Sequence, residues 1–148
     1  MERKPTKTMI KAWVRLMRAQ QAVLARVERE LKDAGLPPLG WYDVLLELSR
    51  ADEGRLRQFE IGERVLLSKF NLSRLLDRLE DEGLVKRESC AEDRRGANVV
   101  ITRAGRELQK RMWPVYEQAI AKHFARHYSE EQAAALAELL RPLVPERP

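Results

Sequence analysis

The residues best suited to recognise a ligand lie in one predicted helix between Ser68 and Gly83. Its leucines recur at i, i+3, i+4 and i+7, which is the spacing of one helical face. These are Leu72, Leu75, Leu76 and Leu79. The opposite face carries short polar or charged side chains, namely Lys69, Asn71, Ser73, Arg74, Asp77 and Arg78. Arginine can bond guanine through two hydrogen bonds, and Asn and Ser can reach other base edges or phosphates. The pattern therefore predicts a helix that packs through its leucines and inserts its other face into a DNA major groove.

Within this helix, the side chains directly opposite the leucines are the predicted base readers. We assign base readout to Arg74, whereas Lys69 and Arg78 are expected to contact phosphates and to contribute salt dependence. Phe70 would either touch a thymine methyl group or pack within the turn. We expect Asp77 to orient an arginine. The whole predicted DNA-contacting set is Ser68, Lys69, Phe70, Asn71, Ser73, Arg74, Arg78, Arg94 and Arg95.

The predicted helix is bounded by recognisable end signals. Ser68 is a suitable N-cap, because its hydroxyl can accept a hydrogen bond from a free backbone N–H of the first turn. Gly83 ends the helix, where a left-handed C-terminal residue is needed. A shorter helix, from Phe59 to about Leu66, precedes it and is separated from it by only a turn. The two helices together predict a helix-turn-helix.

Two predicted strands, Leu84–Cys90 and Ala97–Thr102, follow this helix and flank a loop that contains Asp93-Arg94-Arg95-Gly96. A narrow minor groove concentrates negative potential and favours an inserted arginine. Which of Arg94 and Arg95 would insert is left open, and a solvated turn is the alternative interpretation. The hairpin predicts a basic wing beside the helix-turn-helix.

An ordinary amphipathic core helix with a solvated charged side is the alternative to a recognition helix. The neighbouring short helix and the basic hairpin favour DNA recognition over that alternative. A winged helix that binds only proteins is the competing function, but it would not need two adjacent arginines at the wing tip. An enzyme is disfavoured, because the sequence contains no glycine-rich phosphate loop, nucleophile–base pair or metal-ligand spacing.

Helical segments flank the winged part on both sides. A long helix from Thr8 to about Ala34 is ended by Gly35 and Pro37-Pro38. A second helix carries Trp41, Val44, Leu45 and Leu48, and Arg55-Leu56-Arg57 is a minimal strand. Thr102 caps a helix that is expected to run from about Arg103 to His127, and Ser129 opens a last helix through a capping box. Broad apolar faces on the terminal helices predict a two-fold homodimer.

The sequence resembles the MarR family of bacterial winged helix-turn-helix regulators along nearly its whole length. The segments that carry the resemblance are Gly54–Arg57, Leu75–Glu80 with Gly83–Val85, Asp93–Gly96, and Ile101-Thr102 with Gly105. The resemblance implies a homodimer that binds pseudo-palindromic operators and is released by small aromatic or phenolic acids. It also implies that Asp93 braces the wing, while an arginine of the tip enters the minor groove.

The same resemblance indicates an effector pocket where the dimer helices meet the winged part. Trp13, Trp41, Tyr42 and Asp43 lie in that region of the sequence, although each aromatic residue has core packing as its alternative role. Cys90 is expected to be an idle thiol. His123 and His127 are expected on one helical face as interface residues, with no third metal ligand evident.

Composition and charge agree with this interpretation. The chain has 148 residues, a net charge of +5 and a single cysteine, so no disulfide can form within it and a cytoplasmic location is expected. No apolar run has the length of a membrane span. Residues 1–33 hold nine Lys or Arg against four Asp or Glu, and residues 54–106 hold twelve against nine. A polyanionic partner fits these two basic segments.

The sequence thus predicts a mainly α fold with a small antiparallel β wing, in a single domain over residues 1–148. The winged helix-turn-helix is expected at about 37–105, with dimerisation helices at about 6–35 and 106–148. The expected function is a homodimeric, ligand-responsive repressor that binds double-stranded DNA. No metal, cofactor or membrane is expected to take part.

Overall fold

The computed structural model describes residues 3–66, 71–88 and 98–145. Within these ranges the chain is mainly helical with one small antiparallel sheet, which confirms the predicted fold class. The elements are α1 (Lys7–Asp33), α2 (Leu39–Arg50), β1 (Arg55–Arg57), α3 (Gln58–Arg64), α4 (Leu72–Asp81), β2 (Val85–Glu88), β3 (Asn98–Ile101), α5 (Arg103–His123) and α6 (Glu130–Leu140). Short 3-10 turns occupy Asp52–Gly54, Ala125–His127 and Arg141–Leu143.

The sheet has the strand order β1-β3-β2, with both pairs antiparallel. Val99 of β3 lies opposite Leu56 on one side and Arg87 on the other. Leu56, Val85 and Val99 are buried, so one face of the sheet joins the core. The predicted minimal strand Arg55-Leu56-Arg57 is therefore confirmed as the edge strand of the wing sheet.

Helix α5 connects the winged part to α1. Its Leu108, Met112 and Ala119 are buried, and Val27 and Leu31 of α1 belong to the same core. Glu30 of α1 also accepts hydrogen bonds at 3.1 Å from Lys122 Nζ and lies 3.1 Å from His123 Nε2. The hydrogen bonds from His123 and Lys122, with the charge of Lys122, lower the pKa of the Glu30 carboxyl below its ordinary value. The C-terminal half of α1 is thus attached to the end of α5.

The residues that follow α4 pack closely against the start of α5. Thr102 is the N-cap of α5: its Oγ1 accepts from the Gly105 N–H at 3.1 Å and donates to the Gly83 carbonyl at 2.7 Å. The Thr102 N–H donates to the Leu84 carbonyl at 3.0 Å. A Cβ at Gly105 would overlap the Leu84 carbonyl oxygen. Only glycine therefore allows α5 to approach the residues after α4 this closely.

The predicted helix Arg103–His127 ends earlier than expected. Phe124 leaves the helical conformation with φ −132° and ψ −66°, and residues Ala125–His127 form a separate 3-10 turn. Backbone bonds from His127 to Phe124 and from Tyr128 to Ala125 hold that turn. The prediction that His123 and His127 share one face of a helix is therefore wrong.

Both terminal helices carry exposed apolar side chains in the single chain. On α1, Met9, Ile10 and Trp13 are exposed, with Trp13 at 61%. The predicted capping box at Ser129 is present in α6, yet no residue of α6 is buried. Leu139 at the end of that helix is 75% exposed. These faces are available for contacts beyond the chain itself.

Candidate nucleic-acid interface

Helix α4 has the apolar face predicted for a recognition helix. Leu75, Leu76 and Leu79 are buried, and Leu72 is partly buried against the same core. The helix ends as predicted at Gly83, whose φ of +73° is the left-handed conformation of a C-terminal cap. The leucine spacing thus fixes which side of α4 is turned away from the core.

The start of α4 differs from the prediction. Asn71 is the N-cap, and its Oδ1 accepts from the Arg74 N–H at 3.2 Å. The prediction of Ser68 as the cap of this helix is therefore wrong. The side-chain oxygen of Asn71 thus bonds its own helix, and the DNA contact assigned to this residue stays a prediction. Both residue types are good caps, and the one adjacent to the first leucine occupies the position.

The outer face of α4 brings together four predicted residues, Ser73, Arg74, Asp77 and Arg78, which are all exposed. Ser73 Oγ accepts from Gln58 Nε2 of α3 at 2.9 Å, which ties the two helices of the helix-turn-helix together. Within the described part of the chain, the side chains of Arg74 and Arg78 have no ion pair or hydrogen bond. These two guanidinium groups are therefore available to phosphates or base edges.

Arg87 of β2 supports this face, a role that no spacing in the sequence indicated. Its Nη2 lies 2.8 Å from Asp77 Oδ1 and donates to the Ser73 carbonyl at 3.2 Å. Its backbone N–H donates to Glu80 Oε2 at 3.1 Å. Asp77 was expected to orient an arginine, and Arg87 is that partner. The pair offsets an acidic charge that would otherwise repel DNA phosphates from the helix.

Several predicted contact residues lie outside the described residues. These are Ser68, Lys69 and Phe70 before α4, and Arg94 and Arg95 of the predicted wing loop. Asp93, which was predicted to brace that loop, lies outside the described residues as well. Cys90 lies in the same undescribed segment as the wing loop. The roles assigned to them stay predictions.

A cleft of about 490 Å³ opens between α2 and α5, beside the end of α3. Its lining residues are Tyr42, Asp43, Leu46, Glu47, Arg50, Leu66, Gln109, Trp113, Tyr116 and Ile120. Two of the four predicted pocket residues, Tyr42 and Asp43, are therefore at the cleft. The other two are not: Trp41 packs partly buried against the core, and Trp13 is exposed on α1. Trp13 lies in the part of α1 that has no buried residue, so it does not reach the cleft of its own chain.

Three aromatic rings form one wall of this cleft. Tyr42 stacks on Trp113 with centroids 6.1 Å apart, and Tyr116 meets both rings edge-on at 5.1 and 5.7 Å. Burial raises the pKa of both the Tyr42 and the Tyr116 hydroxyls above the ordinary tyrosine value. A tyrosine hydroxyl with its ordinary pKa is already protonated near neutral pH, and the raised pKa values favour that form further. The wall combines flat apolar surface with hydroxyl groups.

The residues on the α5 side of the cleft have a regular spacing in the sequence. Gln109, Trp113, Tyr116 and Ile120 are spaced by four, three and four residues, which places them on one helical face. That spacing indicates a shared surface. It does not distinguish a core face from a cleft wall, because the answer depends on how closely α2 approaches.

Among the described residues, no helix combines the length and apolar character needed to cross a bilayer. On the outer face of α4, Arg74 and Arg78 have no partner among the described residues, and Asp77 is paired with Arg87. This is the arrangement expected of a helix that binds DNA.

Comparisons with known proteins agree with this geometry. The model of the MarR family matches residues 34–96, which include α2, β1, α3, α4 and β2. The HTH-type transcriptional regulator YkoM of Bacillus subtilis is 30% identical over 115 residues, covering 78% of this chain and 73% of YkoM. The transcriptional regulator HosA of Escherichia coli O157:H7 is 28% identical over 134 residues, covering 90% and 95% of the two chains.

Solved structures match the whole architecture. The structure of Sco3205, a MarR family transcriptional regulator from Streptomyces coelicolor in complex with DNA, superposes with a TM-score of 0.81. It is 29% identical, and the match covers 97% of this chain and 89% of Sco3205. From the family model, the relatives and the shared fold, we conclude that this chain belongs to the MarR family of transcriptional regulators.

Proposed function

We propose that this MarR family regulator binds a pseudo-palindromic operator sequence-specifically as a homodimer and represses transcription until a small aromatic or phenolic acid releases it. The observation that supports DNA recognition is the arrangement of side chains on the two faces of α4. Its leucines are buried and its two arginines are unpaired within the described chain, while Asp77 is paired with Arg87. We place the winged part at about 37–105 and the dimerisation helices at about 6–35 and 106–148, and we expect action in the cytoplasm.

Arg74→Ala should weaken operator binding and relax base preference. A bidentate arginine–guanine contact contributes roughly 1–3 kcal/mol of discrimination, or about 5- to 150-fold. Gel shifts measure this effect by comparing binding to the intergenic DNA upstream of the encoding gene with binding to a scrambled duplex. Arg126→Ala, which removes an exposed cation from the 3-10 turn after α5, is the matched control. Full preference in the Arg74→Ala protein would contradict the reading role, and no preference in the wild type would favour a protein-binding winged helix.

The homodimer is supported by the exposed apolar side chains of α1 and α6. Met9, Ile10 and Trp13 lie on one face of α1, and a stable chain would gain free energy by covering them. A two-fold dimer buries the same patch on both copies and places two α4 helices on one side of the molecule. Half-sites should then lie roughly one DNA turn, ~34 Å, apart.

We expect sedimentation of the purified protein at micromolar concentration to give twice the chain mass of 17.2 kDa. Trp13→Asp should shift this equilibrium toward the monomer, because it places a charge on a face that must lose its water. This substitution changes a residue of α1 alone, so the winged part should keep its fold. If the wild type is a well-folded monomer at that concentration, the proposed homodimer is wrong.

Release by a small acid is supported by the cleft between α2 and α5. Its three-ring wall fits a flat aromatic ligand, and Arg50 at its lining offers a partner for a carboxylate. Leu66, which lies directly before the segment that leads into α4, lines the same cleft. Occupation of the cleft can therefore bias the position of α4. Adding aromatic acids to the gel shift tests this part separately from DNA binding.

A further inference from the structure

The N-terminal half of α1 has a charge distribution that the operator-binding helix does not explain. Residues 3–25 contain six Lys or Arg and no Asp or Glu. Residues 26–33, where α1 packs into the core, contain three of each sign. The excess positive charge is therefore confined to the half of the helix that its own chain does not bury.

Four of these cations form one line along the helix, which we call the α1 stripe: Lys7, Lys11, Arg15 and Arg18. At 100° per residue they fall within about 80° of one another, and they span roughly 16 Å along the axis. All four are exposed. None of them has an ion pair within the part of the chain that the structure describes.

Folding alone does not favour this arrangement. Lys7–Lys11 and Lys11–Arg15 are like charges at i, i+4, which repel on a helix surface. The first turn of α1 contains no acidic residue, so cations lie at the positive end of the helix dipole. Residues that oppose local stability in this way are expected where a surface serves binding. A bound polyanion would remove both penalties.

The chemistry of the stripe favours nucleic acid over a protein or a membrane. Protein interfaces depend on buried aromatic or apolar anchors, and the line of the four stripe residues contains none. A helix lying on a bilayer would insert Trp13, but Trp13 lies about 155° around the helix from the stripe centre. Inserting it would turn the stripe toward water. A row of cations without apolar side chains fits the phosphate backbone of a duplex.

We propose that the α1 stripe is a second DNA-contacting surface, which binds the phosphate backbone of a separate duplex segment without regard to its sequence. Lys7 lies roughly 30 Å along the helix axis from Val27, the first buried residue of α1. The recognition helix α4 packs instead against β2 through the leucine face and Arg87. A protein bound to its operator would therefore present the stripe to other DNA.

The test is capture of a second duplex. Random-sequence duplex DNA is immobilised and saturated with protein, and a labelled random-sequence duplex is then added in solution. The stripe variant carries Lys7→Gln, Lys11→Gln, Arg15→Gln and Arg18→Gln, because Gln keeps helix propensity and removes charge. The control variant removes the same number of exposed cations elsewhere, through Lys32→Gln, Lys110→Gln, Arg126→Gln and Arg141→Gln.

We expect wild-type and control proteins to capture the labelled duplex and the stripe variant to capture at least tenfold less. The stripe variant should still bind the immobilised duplex, so that step reports the proposed operator-binding surface separately. The slope of the logarithm of capture affinity against the logarithm of salt concentration should become shallower by about 3 to 4 units if all four cations contact phosphates. The double variant Lys7→Gln with Lys11→Gln should show about half of that change.

Thermal unfolding without DNA separates binding from a structural role. The stripe variant should be at least as stable as the wild type, because repulsion along α1 has been removed. Equal capture by the stripe variant and the wild type, or no capture by the wild type, would overturn the proposal. The proposal would also be overturned if the wild type bound phosphatidylglycerol vesicles more tightly than random duplex and the stripe variant lost this difference in affinity.

Discussion

Replacing Gly105 by alanine should lower the free energy of unfolding by about 1–3 kcal/mol, the usual cost of overpacking. The added Cβ would overlap the Leu84 carbonyl oxygen and lie 2.8 Å from Ile101 Cγ1. The backbone at Leu84 cannot move away freely, because its carbonyl already accepts from the Thr102 N–H. Alanine gains about 1 kcal/mol in helix propensity, which offsets only part of this cost. Chemical denaturation of the two proteins measures the difference.

Gly62→Ala is the matched control for this prediction. Gly62 lies in α3, and a Cβ there would meet Leu72 Cδ2 at 3.6 Å, which is an ordinary contact. We expect this protein to be as stable as the wild type, or more stable by up to about 1 kcal/mol. If both alanine proteins unfold at the wild-type midpoint, the close approach of α5 to Leu84 does not require glycine at position 105.

The features that were predictable from the sequence are those set by neighbours along the chain. The leucine spacing of α4 identified its buried face, because helical periodicity is a local property. Thr102 and Ser129 were recognised as caps, because a side chain that bonds the backbone three residues later needs no distant partner. Arg55-Leu56-Arg57 was identified as a minimal strand after the turn at Asp52-Glu53-Gly54, and it pairs with β3.

The features that were missed depend on residues far apart in sequence. Arg87 supports α4 from β2 through contacts with Ser73 and Asp77, and no spacing rule connects these positions. The cleft wall joins Tyr42 to Trp113 and Tyr116 across two helices. Trp41 was expected there too, but the two adjacent aromatic residues point in different directions on a helix. Only the packing of α2 on α5 decides which of them reaches the cleft.

The mistaken N-cap of α4 has a different origin. Ser68 and Asn71 are both residues whose side chains cap helices well, and they are three positions apart. Sequence propensity alone cannot rank them. Asn71 directly precedes the first leucine of the buried face, so capping there starts the helix at the point where packing begins. Tertiary contact of the leucines therefore sets the first residue of the helix.

Removing both wing arginines, by Arg94→Ala with Arg95→Ala, should weaken binding to operator and to random duplex together. Minor-groove and phosphate contacts depend little on base identity, so both affinities should fall by a similar factor. The slope of log affinity against log salt should become shallower by about one to two units, at ~0.9 per lost phosphate contact. Gel shifts over a salt series measure both quantities.

Two comparisons separate a contact from a change in fold. Asp93→Ala should weaken binding less than the double change, because it would loosen the wing without removing a cation. Arg126→Ala with Arg141→Ala removes two exposed cations from the C-terminal region and should leave the slope unchanged. All three proteins should keep the wild-type unfolding transition, since the predicted loop tip contributes little to the core and the two C-terminal cations are exposed. An unchanged salt slope in the Arg94→Ala, Arg95→Ala protein would mean that the wing does not contact DNA. Recognition would then depend on α4 and its support from Arg87 alone.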